Sequence, residues 1–144
     1  MLKIGITAPQ FEAPDQEGKM HKLADYVGNW ILLYFYPRDN TPGCTTEACS
    51  LRDNFAQFKD AGIIILGVSS DSVASHNKFA QKFQLPFTLL ADSEKNIINA
   101  YEAGGLLKRV SYLINPVGEI ASAYEKVDPA THAAQILKDF EELQ

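Results

Sequence analysis

The sequence predicts an α/β protein built around a mixed β-sheet, and three observations support that prediction. Two continuous apolar runs, Trp30–Tyr36 and Ile63–Val68, have the composition of strands that are buried on both faces. A helical pattern from about Gly43 to Ala61 separates these runs, so they predict a parallel βαβ unit with a helical crossover. Further along the chain, Val110–Ile114 and Ile120–Tyr124 flank an Asn-Pro-Val-Gly turn and predict an antiparallel hairpin.

A small β-hairpin is predicted near the N-terminus. Its arms are Phe11–Pro14 and Met20–Leu23, and the Asp-Gln-Glu-Gly segment between them is typical of a turn. Pro37 ends the first buried strand because proline cannot donate a hydrogen bond to a strand ladder. Gly62 marks the turn into the second buried strand.

Apolar spacing predicts the helix between the two buried strands. The apolar positions recur at helical intervals and form one stripe, consisting of Cys44, Ala48, Leu51, Phe55 and Phe58. Polar residues fill the other faces of this segment. The pattern is that of an amphipathic helix with one face packed on the sheet.

The second half of the chain supplies the remaining elements. They are a helix over Ser72–Phe83, a strand over Thr88–Leu90, a helix over Ser93–Tyr101 and a closing helix over Pro129–Leu143. Asp92 or Ser93 is the expected cap of the third helix, and Asp128 is the expected cap of the last. Alternating strands and helices, then a hairpin and a helix, imply a mixed central sheet flanked by helices. A thioredoxin-like layout fits this order, although other α/β sandwiches produce similar periodicity.

Length and charge limit the possible functions. The 144 residues contain no repeat and no linker-like segment, so we expect a single domain over residues 1–144. With 46% hydrophobic and 22% charged residues, the chain is expected to be globular rather than disordered. The net charge of -5 disfavours nucleic acid and anionic membrane surfaces as partners. We find no membrane-spanning apolar run and no signal-peptide core, and therefore expect a cytoplasmic protein with reduced thiols.

Cys44 is the strongest candidate for a reactive residue. It follows Pro42 and Gly43 in the first turn of the predicted helix, directly after a buried strand. Ligands of open α/β sheets bind at that edge. The unpaired backbone N–H groups of a helix N-terminus carry partial positive charge and favour a thiolate, which is the nucleophilic form of cysteine. The alternative is that Cys44 is a small buried core residue.

Cys49, the second cysteine, lies five residues after Cys44. On one intact α-helix, this spacing separates the two Cα atoms by about 8.6 Å. A disulfide requires roughly 4.4–6.8 Å between Cα atoms. Either the pair never forms a bond, or the first turns of the helix unwind to form one. Because Cys49 lies off the apolar stripe, we expect its side chain to face outward or towards a rim. The alternative is that Cys49 is an idle thiol on the flank of the helix.

A metal site has little support in the sequence, and no cofactor is expected. Structural zinc sites need four ligands, whereas this chain has two cysteines at an unsuitable spacing and three scattered histidines. His76 and His132 lie on predicted helices, and we expect them to be solvated or to act as caps. A Cys–His hydrolase is weakly supported because no histidine lies near Cys44 in the sequence.

Two charged residues are further candidates for the site. Arg109 precedes the strand Val110–Ile114, and its side chain is within reach of the Cys44 pocket if that strand pairs with Trp30–Tyr36. The alternative for Arg109 is an exposed surface charge. Glu47 is expected either to bind a backbone N–H in a capping box or to take part in the site.

The residues around the two cysteines resemble a known family. Pro37, Thr41 and Cys44 match the PxxxTxxC signature of the peroxiredoxins. The following Thr-Thr-Glu-Ala-Cys, which ends at Cys49, resembles the bacterioferritin comigratory protein or peroxiredoxin Q subfamily, whose second cysteine lies five positions after the first. The likeness spans nearly the whole chain and includes Gly5–Phe11, Gly67–Asp71, Leu85–Asp92 and Arg109 before Ser111–Ile114.

This resemblance implies a thioredoxin-like fold and a thiol-dependent peroxidase that reduces hydrogen peroxide and organic hydroperoxides in antioxidant defence. It implies that Cys44 is the peroxidatic cysteine and that Cys49 is the resolving cysteine of an intrachain disulfide. Thr41 and Arg109 would position and polarise the peroxide, and Pro37 would shield the pocket. The implied reductant is thioredoxin or a similar dithiol protein. We expect a monomer, because no segment of the sequence suggests an additional interface.

The sequence departs from the family pattern at two places. Asn115 stands where these proteins usually have aspartate after the arginine-bearing strand, and the segment Tyr101–Leu106 differs from the usual Tyr-Gly start of its loop. We expect the loop over 101–108 to affect the pocket rim and substrate preference.

Two other functions remain open at this point. A thiol–disulfide oxidoreductase acting on proteins would have the spacing CxxC rather than the four intervening residues found here. A non-enzymatic binding module would use the disulfide only to unfold a surface helix.

Overall fold

The computed structural model describes residues 1–105 and 108–143 and contains one central five-stranded sheet. Its strands are β3 (Trp30–Phe35), β4 (Ile63–Ser69), β5 (Thr88–Ala91), β6 (Val110–Ile114) and β7 (Ile120–Tyr124). The strand order is β5-β4-β3-β6-β7. β3, β4 and β5 are parallel, whereas β6 is antiparallel to both β3 and β7. The predicted mixed sheet, its parallel βαβ unit and its antiparallel hairpin are confirmed.

The helices and a small N-terminal hairpin cover the sheet. The hairpin pairs β1 (Glu12–Pro14) with β2 (Met20–Lys22), and a short 3₁₀ helix follows over Leu23–Tyr26. The helices are α1 (Pro42–Asp53), α2 (Phe55–Ala61), α3 (Val73–Phe83), α4 (Asn96–Ala100) and α5 (His132–Glu142). In the described ranges, no helix combines the length and apolarity needed to cross a bilayer.

The two faces of the sheet bury separate apolar cores. Successive strand side chains point to opposite faces, so Leu32 and Tyr34 join one core while Leu33 and Phe35 join the other. The first core contains the buried side chains of α1, α2, α3 and α5, and the second contains those of α4 and the N-terminal segment. From Ile31 to Phe35, β3 is buried between them, as its continuous apolar composition predicts.

The predicted single helix over Gly43–Ala61 is wrong in one respect, because it breaks at Asn54. The Asn54 backbone has φ -102° and ψ 8°, and this residue ends α1 and begins α2. Its side-chain Nδ2 donates to the Ser50 carbonyl over 2.8 Å, a bond that competes with the regular helical pattern. α1 and α2 are therefore two helices, and both contribute buried side chains to the first core.

Two predicted helices begin three residues later than expected. α4 begins at Asn96 rather than Ser93, because Lys95 adopts a left-handed conformation with φ 62°. The Asp92 carboxylate nevertheless accepts hydrogen bonds from the backbone of Ile97 and Ile98, which confirms Asp92 as a cap. α5 begins at His132 rather than Pro129.

The start of α5 is delayed by a preceding turn. The Asp128 carboxylate accepts from the Ala130 N–H over 3.0 Å, and the Asp128 carbonyl accepts from the N–H groups of Thr131 and His132. The expectation that Asp128 caps the last helix is therefore wrong: its side chain caps the preceding turn, and Thr131 is the N-cap of α5.

Candidate active site

Cys44 lies in the first turn of α1, at the carboxyl end of the central strand β3. Thr41 is the N-cap in an extended conformation, and Pro42 occupies the first helical position, where its missing N–H removes no helical bond. The Thr45 N–H donates to the Thr41 carbonyl over 2.8 Å and starts the helical pattern. The Cys44 side chain is almost completely buried and is a free thiol. The fold thus places one buried sulfur at the positive end of a helix.

Arg109 brings a positive charge directly to this sulfur. β6 runs antiparallel to β3, and Val110 pairs with Phe35, so the start of β6 lies beside the end of β3. From the residue before β6, the Arg109 Nη1 donates to Cys44 Sγ over 3.3 Å. Arg109 therefore reaches the Cys44 pocket and is not merely an exposed surface charge.

Gly43 makes room for the Arg109 guanidinium. A Cβ atom at position 43 would overlap Nη2 of Arg109. The backbone of Gly43 is helical rather than left-handed, so its conformation does not require glycine. What requires glycine here is the close approach of Arg109 to the helix.

Glu47 is the third member of this buried group, so of the two expected alternatives it takes part in the site rather than in a capping box. Its Oε1 accepts from Nη1 of Arg109 over 3.3 Å, and the side chain is 1% exposed. Its Oε2 has no hydrogen-bond partner within residues 1–105 and 108–143. Burial raises the pKa of Glu47 to about 7, and the charge and hydrogen bond of Arg109 oppose that rise. The same Nη1 thus contacts both the sulfur and a carboxyl group that titrates near neutral pH.

Thr41 and Pro37 lie on the loop that leads from β3 to Cys44. The Thr41 hydroxyl donates to the Arg38 carbonyl over 2.9 Å. Pro37 lines a cavity of about 330 Å³ at the same end of the sheet, together with Tyr36 and Lys108. The loop therefore carries the N-cap of α1 at one end and a wall of this cavity at the other.

Cys49 is half-buried on the same helix and is also a free thiol. Both cysteines lie within α1, which is unbroken from Pro42 to Asp53. Five residues of intact helix separate their Cα atoms by about 8.6 Å, which exceeds the disulfide range. A bond between these sulfurs therefore requires the first turns of α1 to unwind.

The expectation that His76 and His132 are solvated or act as caps is wrong. Both side chains are buried, and His76 contacts the buried carboxylate of Asp39 in the β3–α1 loop. Helical spacing offered a signal, because His76 lies three residues before the apolar Phe79 and on the same face of α3. The burial of Asp39 had no comparable signal in the sequence.

One of the two departures from the family pattern, Asn115, lies in the turn between β6 and β7. Asn115 Oδ1 accepts from the N–H groups of Val117 and Glu119 and so closes the β6–β7 turn. In the 101–108 loop, Leu106 and Leu107 lie outside the described residues. The effect of this loop on specificity stays a prediction.

Glu47 should make protein stability depend on pH. Because its folded-state pKa of about 7 exceeds its ordinary value of 4.5, the folded chain retains a proton that the unfolded chain loses between these values. This contribution to stability is complete below pH 4.5 and is lost as the pH rises through 7. From pH 5 to 8, the reduced protein should therefore lose about 2 kcal/mol of unfolding free energy relative to Glu47→Gln.

Urea unfolding of the reduced protein at several pH values measures this difference. Glu94→Gln, which alters an exposed acid away from Cys44, is the matched control and should follow the wild-type profile. Parallel profiles for wild type and Glu47→Gln would contradict the prediction.

Comparison with known proteins identifies the family. The model of the AhpC/TSA family matches residues 4–123, which include Cys44, Cys49 and Arg109. Peroxiredoxin Bcp of Bacillus subtilis strain 168 is 39% identical over 152 residues, covering 99% of this chain and 97% of the relative.

Solved structures agree with this assignment. A mutant of peroxiredoxin Q from Xylella fastidiosa superimposes with a TM-score of 0.95 at 30% identity, covering 99% of this chain and 98% of the other. The bacterioferritin comigratory protein of Xanthomonas campestris, which is described as having alkyl peroxide reduction activity, gives a TM-score of 0.89 at 31% identity. That match covers 92% of this chain and 91% of the other. The chain therefore belongs to the AhpC/TSA family, as a peroxiredoxin of the Bcp or peroxiredoxin Q group with a thioredoxin-like fold, and it is a thiol peroxidase.

Proposed function

We propose that Cys44 is the peroxidatic cysteine, Cys49 the resolving cysteine, and Arg109, Thr41 and Pro37 the residues that shape the peroxide site. The observation that carries this assignment is the 3.3 Å contact between Cys44 Sγ and Nη1 of Arg109, made at the N-terminus of α1. Two independent positive groups, a guanidinium and a helix end, act there on one buried sulfur. Both groups attract negative charge, which the sulfur carries when it attacks as a thiolate.

The first step transfers one peroxide oxygen to sulfur. The Cys44 thiolate attacks the distal oxygen of a hydroperoxide, so that an S–O bond forms and the O–O bond breaks. Negative charge develops on the departing oxygen, where the Arg109 guanidinium and the N–H groups at the helix end stabilise it. A proton taken from solvent completes the water or alcohol product. Sulfur is oxidised to a sulfenic acid, and the peroxide is reduced.

Thr41 and Pro37 act on the peroxide rather than on the sulfur. The Thr41 hydroxyl lies at the N-cap of α1 and donates its one proton to the Arg38 carbonyl, so its oxygen is left to accept a hydrogen bond from bound peroxide. Pro37 limits the access of water from the neighbouring cavity. Together they hold the peroxide in line with the sulfur, which accelerates the reaction by orientation.

The second step joins the two cysteines. After the first turns of α1 unwind, the Cys49 thiol condenses with the Cys44 sulfenic acid, forming an S–S bond and releasing water. An external dithiol protein, thioredoxin or one like it, then reduces this disulfide by thiol–disulfide exchange. Hydrogen peroxide and organic hydroperoxides are the proposed substrates, in antioxidant defence. The Xanthomonas relative, studied for its alkyl peroxide reduction, supports the organic class.

We propose that the enzyme works as a single domain, as a monomer and in the cytoplasm. The single domain is supported by one continuous sheet that carries both apolar cores. A cytoplasmic location is supported by chemistry that needs two thiols and a reducing dithiol partner. Sedimentation of the reduced protein over a range of concentrations tests the monomer, and a dimer would contradict it.

The disulfide assignment is tested with one molar equivalent of hydrogen peroxide. Peptide mass spectrometry of the oxidised protein should find a Cys44–Cys49 bond. In Cys49→Ser, the first peroxide turnover should proceed at the wild-type rate, because the residues around Cys44 are unchanged. Steady-state turnover with thioredoxin should fall by at least about tenfold, because the usual disulfide cannot form. Normal thioredoxin-dependent turnover in Cys49→Ser would contradict its role as the resolving residue.

A further inference from the structure

The loop between β3 and α1 is fastened by a buried carboxylate. The side chain of Asp39 is 3% exposed, although the loop itself is at the surface. Its Oδ1 accepts from the Tyr36 hydroxyl over 2.6 Å. Its Oδ2 contacts Nδ1 of His76 at 2.7 Å and accepts from the Ser75 hydroxyl over 2.8 Å. Two residues of α3 thus hold the middle of the loop that leads to Cys44.

His76 is suited to this contact because both of its ring nitrogens face acceptors. Nδ1 lies 2.7 Å from the Asp39 carboxylate, and Nε2 lies 3.0 Å from the Leu90 carbonyl of β5. The two ring nitrogens thus connect the loop carboxylate on one side to the backbone of β5 on the other. The contact between His76 and Asp39 is fully enclosed, with His76 at 0% exposure, and β5 fixes the orientation of the ring.

A closed hydrogen-bond network explains this cluster better than a metal site. Asp39, Asp71 and His76 each place a ligand atom within 4.8 Å of the others, which is close enough to surround an ion. However, Asp71 Oδ2 already accepts from the Ser69 hydroxyl over 2.7 Å and from the Asp39 N–H over 2.8 Å. The polar atoms that face the cluster are therefore used to hold the loop in place.

The point at which α3 holds the loop, Asp39, lies close to the start of α1. Only Asn40 separates Asp39 from the N-cap Thr41. Asn40 is exposed and has a left-handed backbone with φ 58°, a conformation that asparagine tolerates better than most residues. The chain is thus fixed at Asp39, pivots at Asn40, and then enters the helix whose first turns must unwind.

We propose that Asp39 and His76, here called the loop clamp, are positioning residues for peroxide reduction. The loop clamp holds the start of α1 so that Cys44 stays beside Arg109, and it confines unwinding to the chain beyond Asp39. This inference rests on the proposed roles of Cys44 and Cys49. Without the loop clamp, the N-terminus of α1 is less firmly held, so the reaction of Cys44 with peroxide slows. Formation of the disulfide, which needs an unwound helix, does not slow.

Two substitutions of His76 separate positioning from simple loss of packing. In His76→Asn, the amide nitrogen takes approximately the place of Nδ1 and still donates to Asp39. In His76→Gln, it takes approximately the place of Nε2, donates to the Leu90 carbonyl and leaves Asp39 without this partner. Both variants lose a buried ring and one hydrogen bond, so they should lose similar stability.

Rapid quenching of the reduced protein with hydrogen peroxide, followed by mass spectrometry, measures Cys44 oxidation and disulfide formation separately. Oxidation should slow about tenfold in His76→Gln and remain within about twofold of wild type in His76→Asn, because displacement of a reacting group is costly. Disulfide formation should not slow in either variant. Amide hydrogen exchange should rise over residues 38–45 in His76→Gln, while β3 retains its wild-type protection.

His132→Gln is the matched control, since it removes a buried histidine whose Nε2 contacts Ser111 rather than the loop. It should leave Cys44 oxidation unchanged. Equal slowing in His76→Gln and His76→Asn, or none in His76→Gln, overturns the loop clamp. A wild-type Cys44 that peroxide does not oxidise instead overturns the proposed function, so the two failures are distinguishable.

Discussion

Replacing Cys44 with serine is expected to reduce peroxide consumption by about 10⁴-fold or more, because enzymes that lose their nucleophile lose activity on at least this scale. A serine hydroxyl is not ionised near neutral pH and cannot be oxidised to the sulfur acids that carry the cycle. The substitution is nearly isosteric. A serine hydroxyl can still accept from the Arg109 guanidinium that now lies 3.3 Å from the sulfur.

Thioredoxin-coupled peroxide consumption measures this loss, and thermal unfolding checks that the variant folds. Serine at position 44 should shift the unfolding midpoint by only a few degrees, because a buried polar contact is retained. Cys49→Ser serves as the matched variant, since it also removes one thiol from α1 but should keep the first turnover. Full peroxidase activity in Cys44→Ser would overturn the assignment of the nucleophile.

The elements that sequence analysis located well are those whose signal is local. β3 and β4 are continuous apolar runs, and their short length and their β-branched and aromatic residues are typical of strands buried on both faces. Cys44 could be assigned to a helix start because Pro42, Gly43 and the preceding strand are its neighbours in the chain. In each case the deciding residues lie within one turn or one strand of each other.

The features that sequence analysis missed depend on partners distant in the chain. Glu47 is buried because Arg109, 62 residues away, reaches it, and His76 is buried because Asp39 lies 37 residues away. A buried charge or imidazole is tolerated only where a partner is present, and folding alone brings those partners together. The break at Asn54 was missed for a different reason. It depends on one side-chain bond that competes with helix geometry.

Removing the Arg109 guanidinium is expected to produce the second-largest loss of activity. Arg109→Met should lower the rate of Cys44 oxidation by about 100-fold, the usual cost of losing one donor to a developing negative charge. Arg109→Lys should lose about tenfold, because lysine retains the charge but not the planar fork of donors. Stopped-flow oxidation of the reduced protein measures both rates. Lys59→Met removes an exposed positive charge from α2 and should leave the rate within about twofold of wild type.

Gly43→Ala tests the same contact without removing a charge. A Cβ at this position overlaps Nη2 of Arg109, so the guanidinium must move away from the sulfur. Alanine is favoured over glycine in a helix by about 1 kcal/mol, which offsets part of the strain and preserves folding. Cys44 oxidation should therefore slow by about tenfold while the unfolding midpoint remains near wild type.

These two results separate the role of the guanidinium from that of protein stability. If Gly43→Ala oxidises at the wild-type rate while Arg109→Met is slow, the positive charge matters but its 3.3 Å contact with the sulfur does not. If both variants react at the wild-type rate, stabilisation of the sulfur and of the departing oxygen comes from the N–H groups of α1 alone. Slow oxidation in both variants, with normal folding, requires the guanidinium to lie where the structure has it, against Gly43 and beside Cys44.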